Sequence, residues 1–272
     1  MFRTDLIILS LLFFALPGYA LFEESPSGAR TEGMAGAFVA VADDINAIGY
    51  NPAGLAQVNS RQFQSGYKLL YGGVGVNLHT ADAALSMPIG RFGTIGLWVQ
   101  ETGFQLQSQR SVKLTHGFWF AENLAFGYGL NGYNLYQGSL GQGLALGFDL
   151  GLWTKIARYW RAGFYAHNIN MPKIGVSELP NSLTIGFGFS PKLGINSAVD
   201  VSKVLGERTS VSFGQEFEII ASHLILRAGV KTEPVRFSFG LTTGLQRFVV
   251  NYALITHPVL PLTHHFGLRL NF

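Results

Sequence analysis

Hydrophobic side chains alternate with small or polar ones along most of the chain from about residue 61 onward. In the stretch 144–153, for example, Leu146 and Phe148 point to one face, whereas Gly147 and Asp149 point to the other. A period of two residues is typical of a β-strand with one apolar face. The pattern therefore predicts a protein built almost entirely from β-strands.

The alternation predicts fourteen β-strands, with twelve as the alternative; both are even numbers, as a closed single-chain bacterial barrel has. The connections after even-numbered strands are mostly tight and are predicted to be periplasmic turns, whereas the somewhat longer ones after odd-numbered strands are predicted to be outward loops. The fourteen predicted strands are 61–70, 79–88, 92–102, 108–120, 124–137, 142–154, 159–168, 182–190, 194–203, 208–219, 223–231, 234–242, 247–256 and 263–272.

The face opposite the apolar one consists largely of glycine, serine and asparagine. In a soluble sandwich that face carries many charges, yet charged residues make up 13% of this chain. A membrane barrel turns its apolar face outward to lipid and its polar face inward. We therefore predict an all-β, transmembrane antiparallel β-barrel of about 14 strands. The side chains predicted to face lipid include Leu146, Phe148, Phe187, Phe237, Phe239 and Leu268.

The first twenty residues have the features of a secretory signal peptide. Arg3 precedes an apolar run from Leu6 to Leu16, and the small residue Ala20 follows. The pattern predicts cleavage after Ala20, since an apolar run of eleven residues is shorter than the roughly 20 that a transmembrane helix needs. The chain has no cysteine, so an oxidising compartment is tolerated without a disulfide framework.

Four candidate functions receive little support from the sequence. The net charge of +3 has no basic run behind it, so no nucleic-acid partner is expected. The GxGxxG match at 127–132 lies inside an alternating strand, so no dinucleotide cofactor is expected. His257, His264 and His265 cluster without an acid or cysteine at ligand spacing, so no metal site is expected. With no GxSxG motif, we expect no catalytic residues and no enzyme.

Charged residues on the small-residue face of the strands are predicted to share the barrel lumen. Such inward charges can form a salt-bridge ladder that fills a narrow barrel, or they can set the selectivity of a pore. The predicted luminal charges are Asp149, Asp200, Glu216, Glu218, Arg227, Lys231, Arg236 and Arg269.

The stretch VADDINAIGYNPAGLAQ, residues 41–57, does not alternate. Asn51 can cap a helix with Pro52 in the first helical position, and Asp43 or Asp44 can cap the preceding turn. Such irregular backbone is unsatisfied in hydrocarbon but acceptable inside a lumen. We therefore predict a luminal hatch; an exposed periplasmic tail is the alternative.

The longer stretch SGARTEGMAGAFVAVADDINAIGYNPAGLA, residues 27–56, resembles the amino-terminal signature of the FadL-like outer-membrane superfamily, and especially of its PorV/PorQ-type branch. Later stretches such as LPNSLTIGFGFSP and VNYALITHPVLPLTHHFGLRLNF resemble the same branch. The resemblance implies a fourteen-stranded barrel whose amino-terminal segment folds into the lumen as a hatch. By this resemblance and the capping argument, the hatch and gating residues are Asp43, Asp44, Asn51, Pro52, Ala53 and Gly54.

The resemblance leaves two functions open. Transport members of the superfamily carry fatty acids or other hydrophobic compounds, whereas PorV-type members serve protein export through type IX secretion. The outward connections here are shorter than the loops that build the transporters' ligand groove. We therefore expect either a channel for hydrophobic small molecules or a non-transporting partner of secreted or surface proteins.

The carboxyl end completes the predicted organisation. The final strand ends on Phe272, which resembles the signal that the barrel-assembly machinery reads in bacterial outer-membrane barrels. We therefore expect that machinery and outer-membrane lipid as partners, and the bacterial outer membrane as the location. The predicted division is a signal peptide at 1–20, a hatch or plug at 21–60 and the barrel at 61–272.

Overall fold

The structure is a computed structural model that describes residues 22, 27–72, 78–104, 107–138, 141–221, 223–245 and 247–272. The predicted signal peptide at 1–20 lies outside the described residues.

Fourteen antiparallel strands form one closed barrel, which confirms the predicted fold class. Each strand pairs with its neighbours in the chain, and the first strand pairs with the last, from Gln62 opposite Asn271 to Leu69 opposite His264. The strands are β1 Gln62–Leu69, β2 His79–Pro88, β3 Thr94–Phe104, β4 Gln107–Ala121, β5 Leu124–Gln137, β6 Gly141–Lys155, β7 Trp160–His167, β8 Ser182–Lys192, β9 Ile195–Val204, β10 Thr209–Ile220, β11 Leu224–Thr232, β12 Val235–Leu245, β13 Phe248–Ile255 and β14 Thr263–Asn271.

The alternation along each strand separates an outer apolar face from an inner small or polar face. The six side chains predicted to face lipid all point out of the barrel, with exposed fractions from 39% for Leu268 to 61% for Leu146. Their neighbours in the chain point inward, as the buried Asp149 beside the exposed Phe148 illustrates. The predicted orientation of these strands is therefore confirmed.

The two ends of the barrel differ in their connections. The turn end carries the connections after even-numbered strands, such as 122–123 and 193–194, and the loop end carries the others. Three loop-end connections are long, at 70–78, 168–181 and 256–262. Other loop-end connections are as short as the turns. Residues 233–234, for example, suffice between β11 and β12, because antiparallel neighbours need only a two-residue hairpin.

Exposed aromatic side chains mark the turn end of the barrel. Membrane barrels carry such aromatic girdles where the apolar band meets the aqueous interface. The girdle side chains at the turn end include Phe92, Phe120, Tyr159, Trp160, Phe217 and Phe248.

The residues ahead of β1 fill much of the lumen; we call residues 27–60 the luminal segment. It contains two one-turn helices, α1 (Ala29–Glu32) and α2 (Ala47–Tyr50), and a 3₁₀ helix over Pro52–Gln57. Among the described residues, no helix is long and apolar enough to cross a bilayer. The segment has its own apolar core, in which these side chains are fully buried: Met34, Phe38, Val41, Ile45, Ile48 and Leu55.

Candidate functional site

Asn51 connects the 3₁₀ helix to the rest of the luminal segment and to the barrel wall. Its Oδ1 accepts a hydrogen bond from the Ala53 amide at 3.2 Å, so the predicted cap is present, and Pro52 is the first helical residue. Its Nδ2 donates to the carbonyl oxygens of Val39 and Leu152, each at 2.9 Å. Because Asn51 is fully buried, each of these polar groups needs its partner.

The adjacent acids Asp43 and Asp44 have different roles. Asp44 Oδ1 accepts hydrogen bonds from the backbone amide and the side-chain Nδ2 of Asn46, at 2.9 and 2.8 Å, and so caps the turn before α2. Asp43 caps no turn in the described structure; its Oδ1 lies 2.6 Å from Nη1 of Arg30. The sequence left open which acid would cap, and the structure assigns the cap to Asp44.

Arg30 brings together acids of the luminal segment and of the wall. Its Nη1 contacts Asp43 and Asp44 at 2.6 and 2.9 Å, and its Nε lies 3.1 Å from Oε2 of Glu216 on β10. Arg227 on β11 contacts the same Glu216 at 2.6 Å, and Arg269 on β14 contacts Asp44. We call these residues the arginine cluster: Arg30, Asp43, Asp44, Glu216, Arg227 and Arg269.

Burial alone would raise the pKa of Asp44, but the charges of Arg30 and Arg269 outweigh it and lower that pKa to about 2. For Glu32, likewise, burial opposes ionisation, yet Lys68 at 2.9 Å lowers the pKa of the carboxyl to about 2. Burial would lower the pKa of Arg30, and Asp43, Glu216 and Asp44 together raise it well above its ordinary value. These groups therefore remain charged at neutral pH, and the ion pairs persist.

Asp149 belongs to a second buried cluster, on the wall formed by β4, β6 and β7. Its carboxylate lies 2.6 Å from Nζ of Lys113 and 2.9 Å from Nδ1 of His167. The hydroxyl of Tyr165 also donates to it, at 2.7 Å. Sequence reasoning found Asp149 but missed its partners, although the alternation along β4 places Lys113 on the inner face.

The predicted luminal charges thus form separate groups. Asp200 accepts hydrogen bonds from the backbone amides of Phe38 and Val39, at 2.8 and 2.9 Å, and so holds the luminal segment without a cation. Glu218 lies against Gly194 at the turn end. Arg236 lies at the loop end, opposite Lys231 in the pairing of β11 and β12.

Glycines on the inner face of the strands allow the luminal segment to approach the wall. A Cβ on Gly163 would lie 2.5 Å from the carbonyl oxygen of Val39, and one on Gly127 would lie 2.3 Å from the amide nitrogen of Ala53. Both distances are shorter than real Cβ contacts, so a side chain there would displace the segment. The same applies at other inner positions, among them Gly96, Gly117, Gly151, Gly186, Gly214 and Gly229.

A cavity of about 240 Å³ lies between the luminal segment and the loop end. Tyr50 and Asp200 contribute to its lining, and Lys231 and Arg236 belong to its wall. In the described part of the chain, no group of three or more histidine, aspartate or glutamate side chains is placed to hold a metal ion. Hydroxyl side chains line much of the remaining wall: Ser182, Thr184, Ser202, Ser210, Ser212 and Ser238.

Comparison with models of known protein families gives no match, and comparison with curated protein sequences gives none either. Solved structures do match. The CymD monoaromatic hydrocarbon channel aligns with a TM-score of 0.70 and 15% identity, over 90% of this chain and 97% of that one.

Two further solved structures have the same architecture. The Pseudomonas putida toluene transporter TodX aligns with a TM-score of 0.64 and 13% identity, over 92% of this chain and 97% of its own. A Pseudomonas aeruginosa FadL homologue aligns with a TM-score of 0.62 and 12% identity, over 90% and 98%. At these identities the likeness concerns the fold. The chain therefore shares the barrel fold of these channels and of the FadL homologue.

Proposed function

We propose that this protein is a passive channel for small hydrophobic molecules in a bacterial outer membrane, with the luminal segment as its hatch. The likeness to barrels named hydrocarbon channels supports the class of solute. The short turns and the longer loop-end connections support an orientation with the loop end outside the cell. In this proposal Asp43, Asp44 and the stretch 51–54 hold the hatch closed.

One observation carries the proposal: the lumen is obstructed by a segment that is not part of the barrel sheet. Side-chain contacts hold this segment to the wall, as the bonds from Asn51 to Leu152 and from Phe38 to Asp200 show. Such contacts can break while all fourteen strand pairings remain intact. The segment can therefore move without exposing an unpaired strand edge to lipid, which would be costly.

Movement of the luminal segment would also uncover apolar surface inside the barrel. Trp98 on β3 and Ala84 on β2 face inward and are buried against the core of the segment, which includes Phe38 and Ile48. Without the segment, these wall residues would offer apolar surface in a lumen whose remaining lining is largely polar or charged. A hydrophobic solute gains from contact with such surface because it leaves water.

A reversible disulfide tests the hatch in a chain that has no cysteine of its own. A Cβ on Gly188 of β8 would lie 3.6 Å from Cβ of Ala40 in the luminal segment, a spacing that a disulfide needs. We expect the Ala40→Cys/Gly188→Cys variant in proteoliposomes to pass a toluene-sized aromatic probe when reduced and to block it when oxidised. The measurement is the rate of probe entry, with Ala40→Cys alone as the matched control.

Each outcome of this experiment has a distinct meaning. Equal probe entry into vesicles with reduced protein and into protein-free vesicles would rule out the channel. Entry that is faster than in protein-free vesicles but unaffected by oxidation would rule out the hatch alone. The PorV-type export role remains a prediction, and co-purification of a secreted protein with a non-conducting barrel would favour it.

A further inference from the structure

The outer wall near the loop end carries polar side chains in a row across neighbouring strands. Strand pairing places Glu101 directly opposite Arg110, and Arg110 directly opposite Asn134. All three side chains lie on the outer face of their strands. Nε and Nη2 of Arg110 donate to Oε1 of Glu101 at 3.1 and 3.0 Å. Nη1 has no hydrogen-bond partner among the described residues.

The position of Arg110 along β4 places it at the membrane boundary. Phe120, in the aromatic girdle at the turn end, is ten residues further along the same strand. Ten residues of a strand tilted by about 40° span about 25 Å along the membrane normal, which is the height of the apolar band of such barrels. Arg110 therefore lies at the level of the lipid headgroups on the loop-end side.

The next row towards the membrane centre combines small and large outward residues. Val112 is paired with Val99 on one side and with Gly132 on the other, and Gly132 is paired with Leu146. Ala83 is paired with Val99 on the far side. The row below contains large side chains throughout: Leu85, Leu97, Leu114, Leu130 and Phe148. The small residues thus leave depressions directly beneath the polar row.

Two apolar grooves result, one on each side of the ridge formed by Arg110 and Val112. The first groove has a volume of about 630 Å³, and Gly132, Leu144 and Leu146 line it. The second has a volume of about 380 Å³, and Ala81, Ala83 and Val99 line it. Arg110 and Val112 belong to both grooves.

We propose that this part of the wall is a specific site for one anionic, phosphate-bearing lipid of the surrounding leaflet, with its phosphate at Arg110 and an acyl chain in each groove. The guanidinium group offers a planar set of donors that matches a phosphate, and it lies at headgroup level. Two apolar grooves on either side of one cation match a phosphate-bearing headgroup with two acyl chains. The site lies on the outer wall and not in the lumen. Lipid binding there therefore does not depend on whether the barrel is a channel.

Native mass spectrometry of the purified barrel tests the site. The protein is released from nanodiscs of equal parts dimyristoylphosphatidylglycerol and dimyristoylphosphatidylcholine, and the lipids that remain bound are counted. We expect the wild type to retain phosphatidylglycerol preferentially. Arg110→Gln should lower that retention about fivefold, the effect of removing one cation near an anionic lipid surface. Glu101→Gln should raise it, because a competing anion beside Arg110 is lost.

Groove-filling variants test the acyl chains separately from the headgroup. A Cβ on Gly132 meets only the Val112 carbonyl, at 3.9 Å, so Gly132→Leu should fold, and the preserved heat-resistant mobility on gels will check this. We expect Gly132→Leu and Ala83→Leu to lower retention of both lipids. Val250→Leu is the matched apolar control. Arg208→Gln, which removes a loop-end cation paired with Glu233, is the matched charge control.

Three results would overturn the proposal. The first is equal retention of phosphatidylglycerol by the wild type and Arg110→Gln. The second is a loss of lipid retention that is as large in Arg208→Gln or Val250→Leu as in the site variants. The third is a dimer without bound lipid, which would identify a second copy of the chain as the occupant of the grooves.

Discussion

Arg30 shows how one residue can join the luminal segment to the wall. It lies in the segment, yet it pairs with Glu216 on β10 as well as with Asp43 and Asp44. Arg269 of the wall also contacts Asp44. The principal cation is nevertheless local. Removing one partner of such a buried group is strongly destabilising because the others are left uncompensated.

Because the pKa of Asp44 is lowered, docking of the luminal segment should weaken at low pH. Its carboxyl titrates near 2 when docked and near 3.9 when free. The stabilisation is therefore complete above about pH 4 and is lost as the pH falls towards 2. We expect hydrogen exchange of the amides in residues 38–48 to be slow and constant from pH 7 to 4, after correction for intrinsic rates, and to accelerate below pH 4.

Asp44→Asn provides the comparison for this prediction, because the amide oxygen can still cap Asn46 while the charge is absent. We expect faster exchange than in the wild type at pH 7 and a flatter dependence on pH. Glu178→Gln is the control, since Glu178 is half exposed and pairs with Lys173 within the loop-end connection 168–181. An unchanged pH profile in Asp44→Asn would contradict the assigned role.

At the scale of the element, the two faces of each strand lie in different environments. Its outer residues meet lipid, and its inner residues meet either water or the luminal segment. β6 shows both, because Phe148 is exposed on the outside while Gly151 and Trp153 contact the segment from within. Glycine is used on the inner face at many of the positions where the backbone of the segment lies close to the wall. This explains much of the glycine content, which an empty barrel would not require.

The position of a residue along its strand should determine the cost of a charge on the outer face. We expect Phe148→Arg to lower the free energy of unfolding in lipid vesicles by about 2–4 kcal/mol, because the cation has no partner in hydrocarbon. Phe120→Arg, in the girdle, should cost about 0–1 kcal/mol. Urea titration monitored by tryptophan fluorescence measures both. Equal costs at the two positions would mean that Phe148 is not at mid-depth.

At the scale of the whole molecule, closure depends on the pairing of β1 with β14. The register runs from Gln62 opposite Asn271 to Leu69 opposite His264. Just beyond it, the amide of Phe272 donates to the carbonyl of Arg61 at 2.9 Å. An open seam would leave unpaired backbone groups in hydrocarbon.

Removal of Phe272 should therefore impair assembly. We expect the truncated chain to remain unassembled in the periplasm of a bacterial host, whereas Phe272→Tyr, which keeps an aromatic end, should insert. Cell fractionation and gel mobility without heating measure the assembled share. Normal insertion of the truncated chain would contradict the assembly role assigned to Phe272.

How much of the candidate site could be predicted depended on the distance over which each contact acts. The Asn51 cap and the Pro52 position follow from neighbouring residues, so the sequence contains the signal. The contact between Arg30 and Glu216 joins residues 186 positions apart, and parity alone does not reveal which inward acid lies nearest. Lys113 and His167 were missed for the same reason, because their shared partner Asp149 lies on another strand.

The sequence by itself determined the barrel, its strands and the direction of their side chains. Alternation is a local property, and the scarcity of charge requires the apolar face to meet lipid. It also determined that residues 41–57 are not a strand. Only the tertiary structure decided which inner residues meet, because closing fourteen strands around the segment fixes their register and level. The two groups of luminal charges and the outer grooves beside Arg110 arise from that closure, since each combines residues from several strands.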